Sequence, residues 1–155
     1  MDDDDLDELY QELIMDHGRR PRNTGALPDS THHGRGHNPL CGDQLKLFLN
    51  LDGDIIKEAT FVGSGCCISK ASASLLTDAV KGKTREEAEA LFARFHALVL
   101  GQDAGGGKDL GPLVVFSGVS RFPVRVKCAS LAWHTLKAAL DDGPTDAVPS
   151  ISTEA

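Results

Sequence analysis

Two alternating runs joined by a tight turn constrain this chain more than anything else in it. Leu45, Leu47 and Leu49 alternate with Lys46, Phe48 and Asn50, so Gln44 to Asn50 has the period of a half-buried strand. Asp52-Gly53 supplies the turn, and Ile55 to Val62 forms the returning strand of an antiparallel hairpin. What stands at the open end matters for chemistry. Cys41 and Asp43 lie two residues apart just ahead of the first arm, and alternate side chains of extended chain share a face, so both can aim at one point past Gly42. The second arm, of similar length, brings Gly63-Ser64-Gly65-Cys66 back to that same end.

The remaining segments read as helices that cover such a sheet. Leu6, Leu9, Tyr10, Leu13 and Ile14 predict a first helix from about Leu6 to His17, closed by Gly18. The next twenty residues, with Pro21, Gly25, Pro28, Gly34 and Gly36, read as loop. His32 and His33 in it are expected to face solvent, and His37 is the histidine nearest Cys41. Ile68 to Val80 has helical spacing, which puts Cys66 just ahead of a helix N-terminus, where the dipole and free N–H groups favour thiolate. Cys67 beside it reads as a spare structural cysteine. Thr84 and Glu87 form a capping box for a helix reaching about Leu100. Gly101 to Gly111 reads as a flexible loop, and Leu113 to Phe116 as either a short helix or a strand. A final helix from Pro123 to about Leu140 carries Cys128 on its inward stripe with Leu131, Ala132 and Leu136, so that taken alone it reads as a core thiol. Arg125 and Lys127 flank it as candidate cations near the sulfur.

These elements give an α+β fold: a small antiparallel β-sheet, the hairpin plus a third strand, with helices packed on it. The expected organisation is a single domain from 1 to 140, with 1–5 an acidic frayed lead-in and 141–155 a disordered tail without periodicity. At 155 residues one core suffices without disulfides. Met1-Asp2-Asp3-Asp4-Asp5 is acidic where a secretory signal is basic, and no apolar run is long enough to span a bilayer, so the expectation is a cytoplasmic protein that avoids membranes. In that reducing compartment four cysteines are ligands or nucleophiles rather than disulfides. A formal charge of −7 argues against nucleic acid as partner. Cys41, Asp43, Cys66 and Cys128 together offer three thiolates and a carboxylate, the donor set of a four-coordinate zinc site.

Four stretches in order, LYQELIMDHGRRPRN from Leu9, NPLCGD from Asn38, GSGCCISKASAS from Gly63 and FPVRVKCASLAW from Phe122, resemble the SufU branch of the IscU-like proteins of iron-sulfur cluster assembly. The likeness covers about Leu9 to Leu140. It implies that Cys41, Asp43, Cys66 and Cys128 are zinc ligands and that Cys41 is the sulfur-accepting, catalytic cysteine. It further implies a zinc-dependent sulfurtransferase that takes persulfide sulfur from a SufS-type, pyridoxal-phosphate cysteine desulfurase and passes it toward downstream Suf scaffold proteins. IscU-type scaffolds carry a histidine immediately before the third cysteine, where this chain has Lys127. Its segment between Cys66 and Cys128 is also longer than theirs, and both departures favour sulfur transfer. The family's usual aromatic after Asp16-His17 is Gly18 here. Two alternatives stand beside this reading: a scaffold that assembles and hands on a [2Fe-2S] iron-sulfur cluster, and a zinc-stabilised binding module without turnover.

Overall fold

The computed structural model describes residues 3–38, 42–102 and 110–142, with side chains described for 8–38, 42–102 and 110–141. Helix α1 (Asp3–Arg19) is followed by strands β1 (His32–Asn38), β2 (Asp43–Asp52) and β3 (Ile55–Ser64), then α2 (Cys67–Val80), α3 (Arg85–Val99), a 3₁₀ segment (Gly111–Arg121) and α4 (Pro123–Asp142). The sheet order is β1-β2-β3, antiparallel throughout. The expected α+β architecture is what the chain adopts.

The hairpin forms as its alternation requires. Leu45, Leu47, Leu49, Ala59 and Phe61 are all buried on the inner face, and Gly53 takes φ 62° in the turn between Asp52 and Ile55. The capping box of α3 is present in full: Glu87 N–H donates to Thr84 Oγ1 at 3.1 Å, and Thr84 N–H donates to the Glu87 carboxylate at 3.0 Å.

The third strand corrects the expected loop after Gly18. Its inward positions are Gly34, Gly36 and Asn38, so the run His32–Asn38 has no apolar alternation to announce it. The glycines are there because α4 lies directly on β1. A Cβ at Gly34 would stand 3.1 Å from the Thr135 carbonyl oxygen and 3.2 Å from Ala139 Cβ, and one at Gly36 would collide with Thr135 Oγ1. Gly36→Val is therefore expected to cost about 1–3 kcal/mol by overpacking, read as a lower denaturant midpoint at unchanged slope.

Three smaller differences have local causes. Helix α1 begins at Asp3, so Asp3 to Asp5 of the supposed lead-in are helical backbone, and it runs one residue past Gly18 to Arg19. Leu113 to Phe116 belongs to the 3₁₀ segment, whose buried Leu113, Phe116 and Val119 recur every third residue, the period of that helix. Asp141 and Asp142 close α4, while the rest of the tail and most of the Gly101 to Gly111 loop, residues 103–109, lie outside the described residues.

Helices α2 and α4 cover the sheet's inner face, and Ser72 Oγ on α2 donates to the Ala129 carbonyl on α4 at 2.6 Å. Around them Phe95 of α3 stacks on Trp133 of α4 at 4.7 Å between ring centroids and meets Phe116 edge-on at 5.5 Å. Among the described residues no helix is long and apolar enough to cross a membrane.

Candidate metal centre

The site lies where the open end of the hairpin meets the starts of α2 and α4. Asp43 opens β2, pairs in register with Asn38 of β1 and is fully buried. Its inward direction follows from the same alternation that buries Leu45 and Leu47. Cys66 is the N-cap of α2, with φ −74° and ψ 163°, and its Sγ accepts from Ser69 N–H at 3.4 Å. Cys128, 3% exposed, sits one and a half turns into α4 on the stripe that faces the sheet.

A single donor atom from each of Asp43, Cys66 and Cys128 falls within 4.8 Å of the other two. The carboxylate does two things at once: Oδ1 accepts the Cys66 backbone N–H at 2.8 Å, while Oδ2 stands 3.7 Å from Cys66 Sγ. Gly65 makes that approach possible, since at φ 143° a Cβ would collide with the Asp43 carboxylate. The glycine spacing before Cys66 was the sequence signal for this cradle, and reasoning from the ligands alone missed it.

The donor set fits zinc. Tetrahedral coordination with bonds of about 2.3 Å to sulfur asks for sulfur atoms roughly 3.8 Å apart. The three donor atoms, all within 4.8 Å of one another, are near enough to share one ion of that size. The Cys66 thiol is already poised for ligation: a hydrogen bond from Cys128, reinforced by the Ser69 and Ile68 N–H groups, lowers its pKa to about 7 against the opposing effects of burial and Asp43. A metal must displace the proton only below that value. Zinc affinity is accordingly expected to fall as pH drops through about 7 and to level off above it as far as this thiol is concerned, measurable by chelator competition about one pH unit on either side.

Cys41 lies outside the described residues. Beside Asp43, Gly42 N–H donates to the Asn38 carbonyl at 2.8 Å. His37 pairs with Gln44 on the outer face of the sheet, the opposite face from Asp43, so the histidine nearest Cys41 in sequence is turned away from the cluster. Arg125 is exposed, with its guanidinium 4.7 Å from the centre of the Phe122 ring. It borders a groove of about 680 Å³ that also reaches Cys66, Cys67, Cys128, Met15 and Arg121. Lys127 is half-buried and does not line that groove. Cys67 is the first residue of α2, and its thiol points to α1, with Sγ 3.7 Å from the Ile14 carbonyl oxygen.

Comparison with known proteins places this arrangement. The zinc-dependent sulfurtransferase SufU of Bacillus subtilis is 46% identical over 132 residues, which is 85% of this chain and 89% of that one. The iron-sulfur cluster assembly scaffold protein IscU of Streptococcus pyogenes is 44% identical, across 87% of this chain and 84% of that one. A crystal structure from Fervidobacterium islandicum, assigned as a cluster assembly scaffold for the SUF system, superposes with a TM-score of 0.80 at 35% identity over 86% of this chain and 97% of its own. The family described as the NifU-like N terminal domain matches residues 9–145, and the chain belongs to that family.

Proposed function

We propose that the chain is a zinc-dependent sulfurtransferase of iron-sulfur cluster biogenesis, with Cys41 as the accepting cysteine and Cys41, Asp43, Cys66 and Cys128 as the zinc ligands. The observation that carries the reading is the convergence of a buried carboxylate and two thiols at the hairpin's open end. The 46% identity to a zinc-dependent sulfurtransferase supports it. Bound zinc supplies a fixed positive charge that keeps thiol ligands deprotonated and undergoes no redox change of its own.

The chain's residues do the rest. Asp43 holds the start of α2 through the Cys66 N–H and keeps a carboxylate oxygen beside the sulfur. The α2 N-terminus favours negative sulfur at Cys66. Cys41, as thiolate, attacks the terminal sulfur of a persulfide carried by a cysteine desulfurase of the SufS type. A new S–S bond forms on Cys41, and the desulfurase cysteine leaves as thiolate. Arg125, which borders the groove, provides positive charge where that anionic persulfide approaches. The setting is the cytoplasm, and the sulfur passes on to Suf scaffold proteins.

The test is persulfide trapping. Incubated with a SufS-type desulfurase and cysteine, the zinc-loaded chain should carry one added sulfur on the peptide containing Cys41, seen by mass spectrometry. Cys41→Ala should acquire none, and persulfidation of that variant at the wild-type rate would remove Cys41 from the role. The 44% identity to a cluster scaffold favours a second reading, assembly of a [2Fe-2S] cluster on the same residues. A stable, transferable cluster after anaerobic reconstitution with iron and sulfide would select it.

A further inference from the structure

We infer that Cys67 is a positioning residue for the metal centre, its sulfur seated in a notch of α1 so that the first turn of α2, and with it Cys66, is held in register with Asp43. The inference deepens the zinc-ligand reading above and rests on it. Its ground is the contact between α1 and α2. Cys67, Ala71 and Ser74 follow one another at spacings of four and three along a single stripe of α2, and the two ends of that stripe grip α1 differently. At the far end Ser74 Oγ lies 2.8 Å from His17 Nδ1 and accepts the Arg22 backbone N–H at 2.8 Å. At the near end the thiol of Cys67 donates to the Ile14 carbonyl at 3.7 Å, with the Met15 carbonyl at 4.0 Å.

The notch is Gly18. A Cβ there would collide with Cys67 Sγ and would stand 2.9 Å from the Cys67 carbonyl oxygen, so the two helices meet through sulfur where a side chain would otherwise hold them apart. That gives Gly18 a partner of its own. Cys66 directly precedes Cys67, and both of its links to the site depend on where the first turn of α2 lies. Its N–H must reach Asp43 Oδ1, and its Sγ must accept from Ser69. A small rotation of that turn displaces a ligand while leaving the core intact, because Cys67 itself is only half-buried. Partners that orient ligands in this way commonly change metal affinity by about 10–100-fold when removed.

The experiment measures zinc transfer from the loaded full-length chain to a chromophoric chelator, alongside the melting midpoint of the metal-free form. Cys67→Ala should release zinc about tenfold faster with little change in the metal-free midpoint. Cys67→Ser, which keeps a donor for the Ile14 carbonyl, should return most of the way to the wild-type rate. Gly18→Ala should also speed release, and its effect should shrink when combined with Cys67→Ala, since the colliding sulfur is then gone. Wild-type release rates in Cys67→Ala, or a lowered metal-free midpoint as its only effect, would make Cys67 a packing residue and overturn the inference alone. A wild-type chain that takes up no zinc would overturn the zinc-ligand reading instead, and this inference with it.

Discussion

Cys66→Ser is expected to remove zinc binding from a chain that still folds. Serine is among the best N-cap residues, so the α2 cap to Ser69 N–H survives, and the backbone N–H that Asp43 accepts is untouched by the substitution. What disappears is a soft anionic donor with a pKa of about 7, replaced by a hydroxyl that stays protonated. The metal-free form should therefore melt close to the metal-free wild type. The zinc-loaded wild type, by contrast, gains about 4 kcal/mol when free zinc stands about a thousandfold above its Kd. At roughly 2–4 °C per kcal/mol for a chain of this size, the variant should forgo a rise on the order of 10 °C. Thermal melts with and without zinc, beside metal analysis of the desalted proteins, check both halves. An equal rise in the variant would remove Cys66 from the ligand set.

Phe95→Ala is expected to cost about 3–5 kcal/mol, the range for deleting a fully buried phenylalanine. The ring is inaccessible, stacked on Trp133 and edge-on to Phe116, so three helical segments lose their common contact and the space cannot close by moving one of them. The denaturant midpoint should fall at unchanged slope. Because α3 carries none of the proposed ligands, the folded fraction should still take up zinc. Loss of zinc from a fraction shown to be folded would mean that the site depends on the α3–α4 packing directly.

Sequence reasoning was most successful where one local rule governed a segment. Leu45, Leu47 and Leu49 had to share a face, so Asp43 two residues earlier had to share it too, and the pairing of β2 with β3 then returned the Gly65-Cys66 corner to the same end. Thr84 and Glu87 declared the start of α3 by the chemistry of its first turn. Legibility failed where tertiary contact chose the residue. Gly34 and Gly36 look like loop because the helix lying on β1 crowds Gly34 and leaves no room for a Cβ at Gly36, and glycine's local signal is the same in both settings. His37 was close to Cys41 along the chain, yet strand alternation turned it to the outer face. Gly18 and Cys67, separated by 49 positions, had no local reason to be read together, and only the packing of α1 on α2 couples them. Cys41 is proposed from its motif alone, while the described residues bring the other three proposed ligands together.

The central claim is that zinc at this centre serves sulfur transfer, and turnover tests it most directly. A SufS-type cysteine desulfurase, supplied with cysteine and a thiol reductant in the absence of iron, should release sulfide much faster with the zinc-loaded chain than alone. Chelation should abolish the acceleration, zinc should restore it, and Cys41→Ala should give none at any zinc concentration. Well-folded, zinc-loaded protein that leaves the desulfurase rate unchanged, or that accelerates it equally after chelation, would contradict the account.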